Sequence, residues 1–235
     1  MIGSLFNTIL YKPLLNLLIL LYEHVTFGDL GLAIILITIL VRIVLLPLFE
    51  KQTRYQLVMQ KIQPQIKEVE KKHKGDKAKQ TEAMMAIYKE HKTNPFSGFL
   101  ILFIQIPILI ALYKIISAVV GAAGFSGDLY SFVPAPETIN IMFLGLINLG
   151  KANILIVVLA ALAQFFQAKT TMFKKKPGEE ETPQEKAGRT MVYVTPLLTV
   201  FLFYNFPAAI SLYWLVASAL SIIQQIIIKR KIAND

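Results

Sequence analysis

One arginine lies inside a long apolar stretch and is the first residue whose chemistry needs an explanation. Arg42 falls within the window Leu30 to Phe49, about seven residues or roughly 10 Å of helical rise from its end. A charge at that depth in hydrocarbon is costly, and the apolar windows of this chain contain no carboxylate to neutralise it. The guanidinium therefore needs water, polar neighbours or an incoming anion.

Polar side chains that could surround this cation occur at similar depth in the other apolar windows. Thr38 is one helical turn from Arg42, and Ser218 belongs to a stripe of residues spaced three or four apart on one helix face. The residues predicted to share a hydrated pocket are Arg42, Thr38, Gln105, Gln164, Trp214 and Ser218. Small polar residues also hold helices together without any further role, and this alternative stays open for the serine stripe.

The composition limits the class of protein that can carry such a pocket. The chain has 235 residues, of which 55% are hydrophobic and only 17% charged, which is too apolar for an ordinary soluble domain. It has no cysteine, which excludes disulfides and thiolate sites, and its three histidines show no metal-ligand spacing. We therefore expect neither a cofactor nor a metal, and no enzymatic activity.

Apolar windows of about 20 residues, the length that crosses a bilayer, predict the elements that position the pocket. The predicted spans are residues 30–49, 96–120, 153–173, 190–206 and 208–228, the last two separated at Pro207. Residues 1–28 are predicted to form a helix along the outer membrane surface, because Asn7, Lys12 and Asn16 would be costly inside the bilayer. Residues 138–149 are too short to cross. The predicted fold is an all-α integral membrane protein, a five-transmembrane-helix bundle with a hydrophilic groove over residues 29–235.

The distribution of positive charge predicts the orientation. Lysine and arginine concentrate in residues 50–94, in the loop 174–189 and after residue 228. By the positive-inside rule these segments are cytoplasmic, so the N-terminus is predicted outside and the C-terminus in the cytoplasm. No removable signal peptide is expected.

The segment 50–94 is predicted to be a cytoplasmic helical hairpin. Its apolar residues repeat every three or four positions on both sides of a turn at Gly75, and Pro64 is expected to kink or restart the first arm. With 11 basic and 6 acidic residues, the hairpin is either a solvated loop close to anionic headgroups or a docking arm for a client, ribosome or partner. The residues predicted to dock are Lys61, Lys67, Lys71, Lys72, Met84 and Met85. Aromatic residues are few, so direct nucleic-acid binding is not expected.

Several runs of residues resemble a known family, the YidC/Oxa/Alb membrane protein insertases. The runs are Met84-Met85-Ala86-Ile87-Tyr88-Lys89, Asn94-Pro95, Gln105-Ile106-Pro107, Ala111-Leu112-Tyr113, Gly31-Leu32-Ala33-Ile34, Val41-Arg42, Leu46-Pro47-Leu48, Phe206-Pro207, Leu212-Tyr213-Trp214 and Ile223-Gln224-Gln225. They are spread over about residues 5 to 230, and the chain resembles a bacterial, core-only form.

The resemblance implies a function and an arrangement. It implies an energy-independent insertase and chaperone for small or few-span proteins of the bacterial cell membrane, with a groove open to the cytoplasm and the lipid but closed outside. A role in the groove is carried onto Arg42, with lining by Gln105 and Trp214, and the second and fourth spans would be the surface on which a client helix leaves. The implied partners are nascent membrane proteins, with a Sec translocon and a ribosome as further candidates. The tail after Ile228 is short, so tethering of ribosomes through it is not expected.

Two other classes of protein remain open at this stage. An anion-binding transporter or channel would also use a buried arginine, although the sequence shows no internal repeat. A structural subunit of a larger translocon would share the same spans.

Overall fold

The computed structural model describes residues 2–94, 100–120, 126–172 and 183–234, and these fold almost entirely as helices. The helices are α1 (Ile2–Phe6), a π-helical turn (Asn7–Tyr11), α2 (Lys12–His24), α3 (Leu30–Val44), α4 (Leu46–Lys72), α5 (Lys77–Glu90), α6 (Leu100–Val120), a 3-10 turn (Ser126–Asp128), α7 (Ile154–Thr171), α8 (Pro183–Phe203) and α9 (Ala208–Asn234). Two short antiparallel strands, β1 (Met142–Phe143) and β2 (Ile147–Asn148), form a β-hairpin between α6 and α7. The all-α membrane fold class is confirmed, with this β-hairpin as an addition that was not predicted.

The N-terminal helices pack into the main core. Leu15, Leu18 and Ile19 of α2 are fully buried against α3 and α6. Asn16, which argued against a position inside the bilayer, is also buried, and its side-chain amide is satisfied by backbone groups of Lys12, Asp128 and Tyr130. Residues 3–24 are long and apolar enough to cross a membrane, so the surface position of residues 1–28 stays a prediction.

The first predicted span, 30–49, contains a break between two helices. Helix α3 stops at Val44, and α4 starts at Leu46 after a bend of 63°. The cause is Pro47 in the first turn of α4, which has no N–H to donate to the carbonyl four residues earlier, so the first helix ends and a second begins. Residues 46–49 therefore belong to the helical hairpin.

Helices α4 and α5 form that hairpin around a turn at Gly75. Asp76 caps α5 by accepting a hydrogen bond from the Lys79 N–H at 3.1 Å, and Ile62, Ile66 and Tyr88 form a small separate core. Of the kink or restart expected at Pro64, the restart is wrong because α4 runs unbroken through it, and the kink stays a prediction. Pro64 is exposed, so the carbonyl that loses its helical partner can bond to water instead.

The remaining helices differ from the predicted spans at their ends. Helix α7 packs against α8 and α9, and α9 also packs against α3. Residues 183–189, predicted as loop, belong to α8, and α9 continues beyond residue 228 to Asn234. The ends predicted from hydropathy mark where a helix leaves the apolar layer. The observed helix ends lie further along the chain, because backbone hydrogen bonding continues into the polar layer.

The number of membrane spans stays a prediction. In the described part of the chain, three helices are long and apolar enough to cross, over residues 3–24, 154–171 and 208–232. The bent pair α3 and α4 would be a fourth if the two helices together form one span, and residues 105–120 form a shorter apolar helix.

The β-hairpin closes one end of the bundle, which we call the β-hairpin end (residues 126–153 with the helix ends they contact). Asp29 accepts the Leu144 N–H at 2.7 Å, and the Tyr22 hydroxyl accepts the Asn140 N–H at 2.7 Å. Ala208 donates its N–H to the Lys151 carbonyl at 2.8 Å. Backbone groups of the loop are thus tied to three different helix ends.

Candidate functional site

Two adjoining cavities open between α3, α4, α6, α7, α8 and α9, at the end of the bundle near the α4–α5 hairpin. The first has a volume of about 230 Å³ and is lined by Arg42, Gln105, Gln164, Gln167, Ala168, Thr171, Thr195, Trp214, Ala217, Ser218 and Ser221. The second has a volume of about 270 Å³ and is lined by Phe49, Gln52, Thr53, Gln56, Gln167, Thr171, Ser221, Gln224, Gln225 and Ile228. Because Gln167, Thr171 and Ser221 line both, we treat the two as one feature, the groove.

Arg42 lies in the last turn of α3, directly before the bend, and is only 7% exposed. The bend places Phe49 beside it, with the guanidinium carbon 4.6 Å from the ring centroid. The Nη1 atom is buried and has no hydrogen-bond partner among the described residues. The side chain is therefore held inside the groove by packing and a cation–π contact, with donor capacity left over.

Among the residues that the structure describes, two further polar atoms of the groove region are buried without a hydrogen-bond partner. They are Nε1 of Trp214 and Oε1 of Gln224, whose own Nε2 donates to the Arg42 carbonyl at 3.3 Å. Unsatisfied buried polar atoms are rare in native proteins unless water or a ligand reaches them. The cavity volumes leave room for several waters, so the groove is suited to a hydrated or polar occupant.

The side chains that line the groove offer hydrogen-bonding groups and one positive charge. Glutamine, threonine and serine supply both donors and acceptors, and no carboxylate lines either cavity in the part of the chain that the structure describes. Such a surface suits an extended polar peptide or an anionic group.

Some of the lining amides already have partners. Gln105 donates through Nε2 to the Tyr213 hydroxyl at 2.6 Å, and the Oε1 atom of Gln164 accepts from the Thr199 hydroxyl. The Gln225 Oε1 atom accepts from the Thr170 hydroxyl. These bonds orient the amides from neighbouring helices and keep the groove open rather than collapsed.

The structure brings five of the six predicted pocket residues together around the first cavity. Thr38 is the exception, because its buried hydroxyl donates to the Ile34 carbonyl of its own helix at 2.6 Å. The lining residues on α4, Gln52, Thr53 and Gln56, were not predicted. They enter the groove because of the bend at Leu45. The sequence feature that could have identified them is the occurrence of three polar residues within five positions.

The predicted docking residues of the α4–α5 hairpin lie apart from the groove. Lys61 lines a different cavity beside α9, and Lys67 pairs with Glu185 of α8 at 3.0 Å. Met84 packs against the small hairpin core, whereas Met85, Lys71 and Lys72 are exposed. Their common role in docking stays a prediction.

One ion-pair cluster joins the base of the hairpin to the end of α9. Glu50 accepts hydrogen bonds from Arg54, one turn later on α4, and from Lys231 at 3.2 Å. These hydrogen bonds from Arg54 and Lys231 lower the pKa of the Glu50 carboxyl below its ordinary value. The cluster favours a fixed position of α4 beside α9 at neutral pH.

Apolar side chains face outward on the two helices that flank the groove mouth. Gln105 of α6 and Thr195 of α8 line the first cavity, while other faces of the same helices are exposed. The exposed apolar residues are Ile106, Ile110 and Tyr113 on α6, and Met191, Tyr193, Val194, Leu197, Leu198, Phe201 and Leu202 on α8. An apolar surface therefore lies directly beside the polar groove.

Comparisons with known proteins agree on one family. The family described as 60Kd inner membrane protein matches residues 21–235. Proteins named membrane protein insertase YidC are similar to this chain, one from Chlamydia muridarum with 33% identity over 94% of this chain and 28% of its own length. One from Fusobacterium nucleatum has 31% identity over 87% of this chain and 88% of its own length.

A solved structure supports the same comparison. The crystal structure titled active YidC insertase with the first transmembrane domain resolved superposes with a TM-score of 0.59 and 26% identity, over 86% of this chain and 42% of that one. The chain spans 28% and 37% of the length of the first two curated relatives.

Proposed function

Because the chain belongs to the 60Kd inner membrane protein family, whose relatives include proteins named membrane protein insertase YidC, we propose that it inserts proteins into a membrane. It acts on small or few-span proteins, receives their polar segments in the groove, and releases their apolar helices into the bilayer. No hydrolysis of a nucleotide accompanies this process.

One observation carries the proposal, namely the buried Arg42 in a groove that no carboxylate of the described residues lines. A guanidinium with a free donor adds nothing to packing that an apolar residue would not supply better. Its retention makes sense if it attracts an acidic or hydrated client segment that enters the groove transiently. The orphaned Nε1 of Trp214, in the same cavity, offers a further donor to that segment.

The free energy for insertion comes from the client. Burial of apolar surface is worth about 25 cal/mol per Å², so a transmembrane helix of the client gains tens of kcal/mol on entering lipid. The obstacle is the passage of its polar flank through hydrocarbon, where each unpaired polar group costs several kcal/mol. A groove lined by amides and hydroxyls lowers this barrier, and the apolar faces of α6 and α8 beside it are suited to receive the client helix.

The remaining assignments complete the proposal. The N-terminus lies outside and the C-terminus in the cytoplasm of a bacterial cell membrane, with residues 1–28 on the outer surface and 29–235 as the insertase core. The α4–α5 hairpin meets nascent clients first, through Lys61, Lys67, Lys71, Lys72, Met84 and Met85, and a ribosome or Sec translocon delivers them. The excess of basic residues in the hairpin supports the cytoplasmic side.

The charge of Arg42 is tested by complementation of cells depleted of their own insertase. Arg42→Lys should retain insertion of clients with acidic tails, whereas Arg42→Ala should lose at least tenfold in rate, because only the lysine keeps a cation in the groove. Clients whose acidic tail residues are changed to asparagine should depend less on position 42. Full activity of the alanine variant on acidic-tailed clients would refute the role of the charge.

Crosslinking tests whether the groove meets the client. A photoreactive residue at position 168, where Ala168 lines the first cavity and Arg42 is left in place, should crosslink to a stalled nascent membrane protein, whereas the same probe at position 155, exposed on α7 near the β-hairpin end, should not. Flux of an anionic solute through the purified protein, together with no crosslink at position 168, would favour a transporter instead.

A further inference from the structure

A third cavity, which we call the basic cavity, lies between α4 and the end of α9. Its volume is about 570 Å³, and its cations are Arg54, Lys61 and Lys229. Its apolar lining comes from Leu57, Val58 and Ile232. It shares no lining residue with the groove, so the role of Arg42 does not account for it.

The position of the basic cavity along α9 places it where lipid headgroups lie. The candidate membrane span in α9 runs over 25 residues and ends at Ile232, one of the lining residues. At about 1.5 Å per residue this length exceeds the roughly 30 Å of hydrocarbon, so the last turns of α9 reach the headgroup layer. The cluster Lys229, Arg230 and Lys231 in those turns is typical of a helix end at an anionic leaflet.

The charge balance of the basic cavity favours an anion. Two of its cations already have protein partners, because Arg54 bonds to Glu50 and the Lys229 ammonium donates to the Thr170 carbonyl. The exposed side chain of Lys61 forms no hydrogen bond or ion pair with the described residues. No carboxylate lines the cavity within the described ranges, so three cations face one space without an acidic lining residue.

We propose that the basic cavity is a binding site for one anionic glycerophospholipid. The phosphate lies among Arg54, Lys61 and Lys229, and an acyl chain follows Leu57, Val58 and Ile232. The pairing of cations with an apolar wall selects an amphiphile over a free anion, because only a lipid satisfies both surfaces. Such a lipid joins the base of the α4–α5 hairpin to the bilayer, and this site does not depend on the insertase proposal.

Native mass spectrometry of the full chain, released from neutral detergent, tests the site with titrated phosphatidylglycerol and with phosphatidylcholine of the same acyl chains. We expect one phosphatidylglycerol to bind at least tenfold more tightly than phosphatidylcholine. Lys61→Gln combined with Lys229→Gln should weaken phosphatidylglycerol binding tenfold or more, and Lys61→Arg with Lys229→Arg should preserve it. The control pair Lys77→Gln and Lys89→Gln, both exposed on α5 and of equal charge change, should alter binding less than twofold.

The other outcomes overturn the proposal. An equal loss in the control pair would indicate general charge attraction, and equal affinity for both lipids would remove the headgroup site. Displacement of phosphatidylglycerol by glycerol phosphate would indicate a free phosphate site, and displacement by an acidic peptide would indicate a peptide site. Ile232→Ser should weaken binding severalfold in a protein with unchanged helix content, and unchanged binding would refute the acyl-chain contact. Melting curves of each variant verify that it is folded.

Discussion

The two ends of the bundle differ in whether their polar groups have hydrogen-bond partners. At the β-hairpin end, Asn16, Tyr22 and Asp29 all bond to loop backbone. At the groove, Arg42 and Trp214 keep buried atoms that have no hydrogen-bond partner among the described residues, beside a cavity of about 230 Å³. The satisfied polar groups of the β-hairpin end stabilise the fold, whereas those of the groove can still form hydrogen bonds with a transient ligand.

This difference explains how one small helical bundle can be stable and still keep a site open for binding. Fully buried large side chains of α2, α3 and α6, including Leu15, Leu30 and Ile115, belong to the main core. The groove then needs no contribution from its own lining to hold the helices together. We expect comparable substitutions to lower the free energy of unfolding more at the β-hairpin end than at the groove, and removal of the groove cation to raise it.

The largest destabilisation should come from adding a methyl group at the β-hairpin end. A Cβ at Gly31 would lie 2.1 Å from the Phe143 ring, which is far inside van der Waals contact. Gly31→Ala should lower the free energy of unfolding by about 3 kcal/mol, because the ring and the β-hairpin must both move. Thermal unfolding in detergent micelles measures the effect.

The control is Gly188→Ala on α8, where a Cβ meets nothing within 4 Å. This exposed helical position should gain up to about 1 kcal/mol from helix propensity. If both alanine variants unfold at the same temperature, the β-hairpin end does not pack α3 as described.

A smaller loss is expected from removing a satisfied amide. Asn16→Ala leaves the Tyr130 N–H and the Asp128 carbonyl without their partner, which should cost about 2 kcal/mol. Gln167→Ala, an amide that lines both cavities of the groove, should cost less than about 0.5 kcal/mol because water can replace it. Equal losses of unfolding free energy in the two variants would mean that side-chain amides contribute equally to stability at the β-hairpin end and at the groove.

A gain of stability should follow from removing the cation of the groove. Arg42→Met keeps the packing against Phe49 but relieves a buried charge without a carboxylate partner, which should raise the free energy of unfolding by about 1–2 kcal/mol. The same variant should fail to insert clients with acidic tails. A clear loss of stability would instead indicate that Arg42 is a structural residue, and the comparison of the two ends would no longer hold.

Much of the groove followed from sequence because its signals are local. A charge inside an apolar window is unambiguous, and the spacing of Trp214 and Ser218 places them on one face of a single helix. The family resemblance, drawn from short motifs, is confirmed by the match over residues 21–235. Five of the six residues predicted to share a pocket were therefore identified from depth, helix spacing and the family resemblance together.

The missed features depend on geometry between elements. The bend at Leu45 places the start of α4 beside the groove. Gln52 and Gln56 therefore line the groove although they lie in the predicted hairpin. Thr38 shares the helix face of Arg42, yet its hydroxyl bonds within its own helix, an alternative that spacing does not distinguish. The β-hairpin involves two residues per strand, which is too short for any periodicity to reveal.

The smallest effect concerns the link between the α4–α5 hairpin and the bundle at Glu50. Because hydrogen bonds from Arg54 and Lys231 lower its pKa in the folded protein, its contribution is present above the ordinary value of 4.5 and is lost as the pH falls through the folded pKa. Glu50→Gln should thus melt slightly below the wild type at pH 7, with the difference disappearing once the pH falls below the folded pKa and shrinking at high salt. Glu90→Gln, exposed at the end of α5, is the control and should match the wild type throughout. A difference that does not change at all as the pH is lowered from 7 would show that Glu50 acts through packing rather than charge, and the hairpin would then be tied to the bundle in the same way as the β-hairpin end.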